Sequence, residues 1–143
     1  MQRSSRLTPK VTVVDDSIDM RKLLAEYLGW YGIEVTGFRT VPEALNYLGS
    51  EDGSRVDLVL CDLNFPGESG LVLLRELRQL RPAIPVVVMS AFADKAAMER
   101  VRSEGAAGYV NKTDGLTRVM DAVESSLQTS FSPDTDGAAP ARF

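Results

Sequence analysis

The sequence predicts an α/β fold: a doubly wound, five-stranded parallel sheet with helices on both faces. Three observations carry that reading. Short apolar runs alternate with helical patterns five times between residues 10 and 127. Most of those runs are continuous stretches of Val, Ile and Leu, the pattern of strands covered on both sides. The chain has 143 residues, 44% of them hydrophobic and 25% charged, which suits one domain with a real core.

The elements follow in order. Val11–Val14 reads as a short first strand. Ile18–Tyr31 places Leu23, Leu24, Tyr27 and Leu28 at helical spacing, and Gly32 stops it. Ile33–Phe38 alternates as a strand does, and Val41–Leu48 puts Ala44, Leu45 and Leu48 on one helical face. Val56–Cys61 is an apolar strand entered after Asp52-Gly53, and Leu71–Leu80 is helical. Ile84–Met89 is the most apolar strand, entered through Pro85. Asp94–Glu104 is a helix ended by Gly105, Tyr109–Val110 belongs to a short fifth strand, and Leu116–Leu127 forms the last helix. Residues 1–9 read as a flexible tail. Residues 128–143, rich in Ser, Pro, Asp, Gly and Ala without periodicity, read as a disordered tail or linker. Right-handed crossovers restrict such an alternation to a doubly wound sheet.

Composition narrows the chemistry. The net charge is −4, against the basic surface expected of a direct nucleic-acid binder. No apolar run approaches the ~20 residues of a membrane helix, and the basic N-terminus lacks the apolar middle of a signal peptide. A single cysteine forms no internal disulfide, so a cytoplasmic, reducing location is expected. The absence of histidine excludes Ser-His-Asp and Cys-His catalysis, histidine metal ligation and a phosphohistidine donor role.

In a doubly wound sheet, ligands bind outside the carboxyl ends of the strands. Strand 1 ends in Asp15-Asp16, strand 3 in Asp62, strand 4 in Ser90, and strand 5 near Lys112. Parallel strands bring these residues to one edge. Three carboxylates there repel one another, and a hard divalent cation such as Mg²⁺ relieves the repulsion. Lys112 adds a positive charge and Ser90 a hydroxyl. Two acids for a metal, a nucleophilic carboxylate, a cation and a hydroxyl are the parts that phosphoryl transfer needs. Singly, each signal has an ordinary structural explanation: helix capping and turn chemistry for the Asp-Asp pair, capping for Asp62, a turn hydroxyl for Ser90, a solvated side chain for Lys112. The specific signal is that four strands deliver them in order to the same edge.

With these residues in view, the chain resembles the receiver domains of bacterial response regulators over about residues 10–127, in VTVVDDS, VDLVLCDLNFPGESG, IPVVVMSAFAD and GAAGYVNK. The resemblance implies strand order 2-1-3-4-5. It also implies Asp62 as phosphoacceptor, Asp16 as a direct Mg²⁺ ligand, Asp15 as a ligand mainly through water, and the backbone carbonyl of Asn64 as a further ligand. Lys112 would contact the phosphoryl group, Ser90 would turn inward to bond it, and Tyr109 would be the aromatic switch. Pro66 and Gly70 match the family's loop after the acceptor, and Ala91 leaves room beside Ser90. The implied donors are a sensor histidine kinase or a phosphotransfer protein. The implied output is a downstream effector or a fused domain, with a homodimer through the helix 4–strand 5–helix 5 face as a further expectation. Such a domain is no enzyme in the ordinary sense: it promotes its own aspartyl phosphorylation and dephosphorylation.

Two positions depart from, or vary within, the family pattern. Thr113 follows Lys112 where the family has proline after a cis peptide. A non-proline cis bond costs about 2.5–4 kcal/mol, so a trans peptide is expected, with Thr113 or Asp114 capping helix 5. Phe92, at a variable position, would obstruct water or small phosphodonors. Elsewhere, Cys61 reads as a small buried hydrophobe and Trp30 as packed at the end of helix 1, a fluorescence reporter of folding whose Mg²⁺-dependent quenching would mark a phosphoacceptor. Met89 and Met98 read as core or interface. Arg75-Glu76 and Glu99-Arg100 read as solvated faces. A receiver fold working without phosphorylation would often lack one of the acidic, hydroxyl or lysine residues. An aspartyl phosphatase would show Asp-x-Asp after strand 1 and a substrate cap, and the chain has neither.

Overall fold

The computed structural model describes residues 8–91 and 94–131. Five parallel strands form the sheet: β1 (Lys10–Val14), β2 (Glu34–Phe38), β3 (Leu58–Asp62), β4 (Val86–Ser90) and β5 (Gly108–Asn111). Their spatial order is β2-β1-β3-β4-β5, as expected. Five helices connect and cover them: α1 (Ile18–Gly29), α2 (Val41–Leu48), α3 (Gly70–Leu80), α4 (Lys95–Ser103) and α5 (Leu116–Phe131).

The period of two along each strand divides the core into two layers. Val11, Val13, Leu58, Leu60, Val87, Met89 and Val110 pack with Leu24 and Leu28 of α1 and Val119 and Val123 of α5. Val59, Cys61, Val86, Val88 and Tyr109 face the other way, onto Ala44 and Leu48 of α2, Leu73 and Leu77 of α3, and Val101 of α4. Cys61 is fully buried, and burial, with Asp62 and Asp15 adding to it, pushes its thiol well above the ordinary range. This matches the reading of an inert small hydrophobe. Met89 is core, and Met98 is a half-buried residue on its margin.

Several boundaries differ from the sequence reading, each for a local reason. β3 and β4 begin two residues later than expected and run one further, so Asp62 and Ser90 are their last residues. α1 stops at Gly29, with Trp30 as its C-cap and Gly32 at φ 80 in the turn. α4 is bracketed by Asp94, whose carboxylate accepts from the Ala97 N–H at 2.7 Å, and by Glu104, before Gly105 at φ 97. α5 continues four residues past Leu127, so the segment expected as tail from residue 128 begins as helix.

Two pieces carry no periodic signal and were not expected: a 3₁₀ turn at Asp52–Arg55, and an antiparallel ribbon of Asn64–Phe65 with Glu68–Ser69. The turn is held from outside. The Arg81 guanidinium donates to the carbonyls of Gly53 (2.6 Å), Ser54 (3.2 Å) and Val56 (3.1 Å). Arg75 is also more than a solvated charge. It donates to the Glu104 carboxylate at 2.9 and 3.1 Å, while Arg78 donates to the Glu104 carbonyl at 2.7 Å, tying α3 to the end of α4. Trp30 is a correction as well. It is 75% exposed, its ring tilted by 54° against that of Tyr27 at a centroid distance of 6.2 Å. It also stands at the opposite end of a 12-residue helix from Asp15-Asp16, a span of about 18 Å at the helical rise.

Candidate functional site

The carboxyl ends of β1, β3 and β5 meet at one edge of the sheet, and the charged side chains converge there. Oxygens of Asp15, Asp16 and Asp62 lie within 4.8 Å of one another. Asp15 is fully buried, Asp62 is 5% exposed and Asp16 is open to solvent. The Lys112 ammonium reaches in from the residue after β5, 2.9 Å from Asp15 Oδ2 and 3.3 Å from Asp62 Oδ2.

Local chemistry holds this arrangement. Ser17 caps α1, its hydroxyl accepting from the Met20 N–H at 3.1 Å, so neither aspartate before it is spent on capping. The Ser17 N–H donates to Asp15 Oδ1 at 2.9 Å, and Arg21 donates to the Asp15 carbonyl at 2.7 Å. Ser17 and Arg21 thus position the pocket. Ser17 carried a sequence signal, a hydroxyl residue directly before a periodic run, whereas Arg21 carried none. Asp15 Oδ2 accepts no hydrogen bond of proper geometry among the described residues. Its contact with Lys112 is charge against charge.

Burial pushes the Asp62 carboxyl above the ordinary carboxylate range; Lys112 opposes this and Asp15 adds to it. Burial pulls the Lys112 ammonium down, but Asp15 and then Asp62 outweigh it, and the group sits above its ordinary value. Lys112 therefore stays charged and partly neutralises the acids.

Ser90 is fully buried at the end of β4, beside Asn111 in register. Tyr109 is buried, 8% exposed, against the α4 side of the core. Asn64 is exposed, and its N–H approaches Asp62 Oδ1 at 3.4 Å. Ala91 is exposed at the pocket's edge, whereas Phe92, expected to obstruct access, lies outside the described residues. No described peptide bond is cis, so Lys112–Thr113 is trans as expected. Thr113 or Asp114 was expected to cap helix 5, but the residue directly before α5 is Gly115. Both lie in a 3₁₀ turn, Lys112–Asp114, capped by Asn111, whose side chain accepts from the Thr113 N–H at 3.0 Å. Gly115, at φ 98, then leads into α5.

Three acids and a lysine are thus gathered at the carboxyl edge of a doubly wound sheet, an arrangement whose chemistry can hold a hard cation beside an anionic group. The response regulator receiver domain model matches residues 11–124, and the chain belongs to that family, a domain of two-component signalling. It is 35% identical over 120 residues to the glycerol metabolism activator of Pseudomonas putida, covering 82% of this chain and 53% of that protein. It is 32% identical over 117 residues to the DNA-binding transcriptional regulator NtrC of Escherichia coli K12, covering 82% of this chain and 24% of that protein. The chain therefore spans about half of the first relative and a quarter of the second. Among solved structures it resembles the response regulator TrrA of Thermotoga maritima in complex with Mg²⁺-BeF. The TM-score is 0.72 at 27% identity, over 83% of this chain and 99% of that one. Among the described residues no helix is long and apolar enough to cross a membrane.

Proposed function

We propose that this domain takes a phosphoryl group on Asp62 from a sensor histidine kinase or a phosphotransfer protein, in a Mg²⁺-dependent reaction, and passes the change to an output. The observation that carries the proposal is the pocket itself: one nearly buried carboxylate, Asp62, clustered with a second acid pair and with an ammonium 3.3 Å away that also reaches Asp15. The donor set fits a small hard cation. Three of its donors are carboxylate oxygens clustered within 4.8 Å, and one carboxylate oxygen there is buried without a directional donor.

Asp16, Asp62 and the Asn64 carbonyl would hold Mg²⁺ directly and Asp15 mainly through water. The cation supplies charge neutralisation at the transferring group. The chain's own residues do the rest. An Asp62 oxygen attacks phosphorus as the donor's P–N bond breaks, and the ring nitrogen leaves with the electron pair. Lys112 pairs with the phosphoryl oxygens, and the Ser90 hydroxyl donates to one of them. Movement of Ser90 draws Tyr109 with it and shifts the population of two conformations of the α4-β5-α5 face. A downstream effector, a fused output domain or a second copy would read that face. The active unit would span residues 10–127 continued by the last four residues of α5, with residues 1–9 and 132–143 as flanking chain. Direct nucleic-acid contact is not part of the role proposed for this segment.

The reading is tested by phosphorylation from a small-molecule donor with and without Mg²⁺, followed by intact mass. A gain of one phosphoryl group is expected only with the metal; no gain under either condition would overturn it. Two variants separate the roles. Asp16→Ala removes a direct ligand and is expected to weaken Mg²⁺ binding by at least about tenfold, read by metal titration; an unchanged titration would remove Asp16 from the ligand set. Lys112→Ala is expected to leave Mg²⁺ binding largely intact and to slow phosphorylation by about 10²-fold, the scale of losing one charge stabiliser. Normal rates would make Lys112 a bystander.

A further inference from the structure

Among the described residues six large apolar side chains are exposed, and four of them lie on α1 or directly after it: Ile18 (55%), Leu23 (45%), Trp30 (75%) and Tyr31 (53%). A helix that buries Leu24 and Leu28 against the sheet would ordinarily turn a polar face outward. Here the outward face carries a ridge at spacing i, i+4, i+8 and i+12: Ile18, Lys22, Glu26 and Trp30, all exposed. Trp30 keeps helical backbone angles, φ −63 and ψ −22, and so continues the ridge. Ridges of this i±4 type interdigitate with one another when two helices pack.

We propose that this ridge is a self-pairing interface, in which α1 of one copy packs antiparallel against α1 of a second. A two-fold interface must be complementary to itself, with residue i on j and j on i. The α1 ridge meets that condition. The register that sets Ile18 opposite Trp30 of the second copy also sets Lys22 opposite Glu26, so the apolar ends cover one another and the central charges pair twice. Any other antiparallel register along the ridge loses the apolar match or the charge pairing, and an in-register parallel alignment sets like charges together. The ridge begins two residues after Asp16, so the second copy sits beside the acidic pocket and competes with any protein donor that approaches over α1. One pair of three-turn helices buries less than the ~1,200 Å² of a stable dimer, so the association is weak and concentration-dependent.

The test is sedimentation of the full chain from about 10 µM to 1 mM, with Trp30 emission followed in parallel. Trp30 is the chain's one tryptophan. A monomer–dimer equilibrium is expected, with emission shifting to shorter wavelength as the dimer forms. Lys22→Glu places like charges together twice and is expected to weaken association about tenfold. The double exchange Lys22→Glu with Glu26→Lys restores the pairing and is expected to return it to near the original strength. These side chains are exposed, so circular dichroism should show the fold unchanged in each variant. A single monomeric species at every concentration would overturn the proposal. So would a dimer indifferent to Lys22→Glu, or one that the double exchange fails to restore.

Discussion

Asp62→Asn is expected to accept no phosphoryl group from a small-molecule donor in the presence of Mg²⁺, while the protein folds as before. An amide has neither the charge nor the nucleophilic lone pair of a carboxylate. Among the described residues, the pocket's other acids are placed wrongly to replace it. Asp15 is fully buried, with one oxygen accepting from the Ser17 N–H and the other facing Lys112, and Asp16 lies at the solvent side. The fold should survive for a reason visible in the electrostatics. Burial raises the carboxyl of Asp62 above its ordinary value. A carboxyl whose folded-state value exceeds its unfolded one costs stability when ionised. That cost is absent below the unfolded value and complete once the pH has passed the folded one. At neutral pH the asparagine removes this cost and the repulsion from Asp15, against the loss of the Lys112 contact. A thermal melt equal to or slightly above the parent's is therefore expected beside the loss of phosphorylation. Undiminished acyl phosphate in the variant would move the acceptor to another residue.

The parts of this molecule that were legible in its sequence are those with a period or a position. The alternation of apolar runs and helical patterns carried the layer architecture, because a strand buried on both faces has no polar alternative to offer. Asp15, Asp16, Asp62 and Lys112 could be placed together because parallel strands leave their carboxyl ends no other place to go. What stayed hidden has tertiary causes. The Asn64–Phe65 and Glu68–Ser69 ribbon is too short to show a period. Arg75 reads as a surface charge, and Arg21 and Arg81 carry no signal of their own, yet each reaches a partner far away or out of phase, at Glu104, Asp15 and the turn at Asp52–Arg55. The end of α5 misled in the opposite sense. Gln128-Thr-Ser resembles a loop in composition, and the helix runs through it to Phe131. Trp30 misled because an aromatic side chain argues for burial, and the chain places it in solvent.

Gly70→Ala is expected to be the most damaging single-methyl change near the pocket. Gly70 opens α3, with Ser69 as the cap, the serine hydroxyl accepting from the Leu71 N–H at 3.1 Å. Its own N–H donates to the Leu63 carbonyl at 2.6 Å, which brings the helix onto the backbone just beyond β3. A Cβ there would strike the carbonyl oxygen of Asp62 and stand 3.0 Å from Leu63 Cα. Both are backbone atoms of a buried segment, so no side chain can turn aside to make room. Either α3 or the end of β3 must move. Overpacking of this kind costs typically 1–3 kcal/mol, and more when the obstacle is rigid, so a loss of about 3 kcal/mol in urea unfolding is expected. Any relief comes from shifting Asp62 itself, so the folded fraction should also phosphorylate more slowly than the parent. Gly67→Ala provides the contrast three residues earlier. Gly67 has φ 75, and a Cβ there meets nothing within 4 Å. Its cost is the left-handed backbone conformation alone, about 1 kcal/mol, with no displacement of the pocket. If Gly70→Ala proved as stable and as quickly phosphorylated as the parent, the close approach of α3 to the Asp62 backbone would not be what positions that carboxylate.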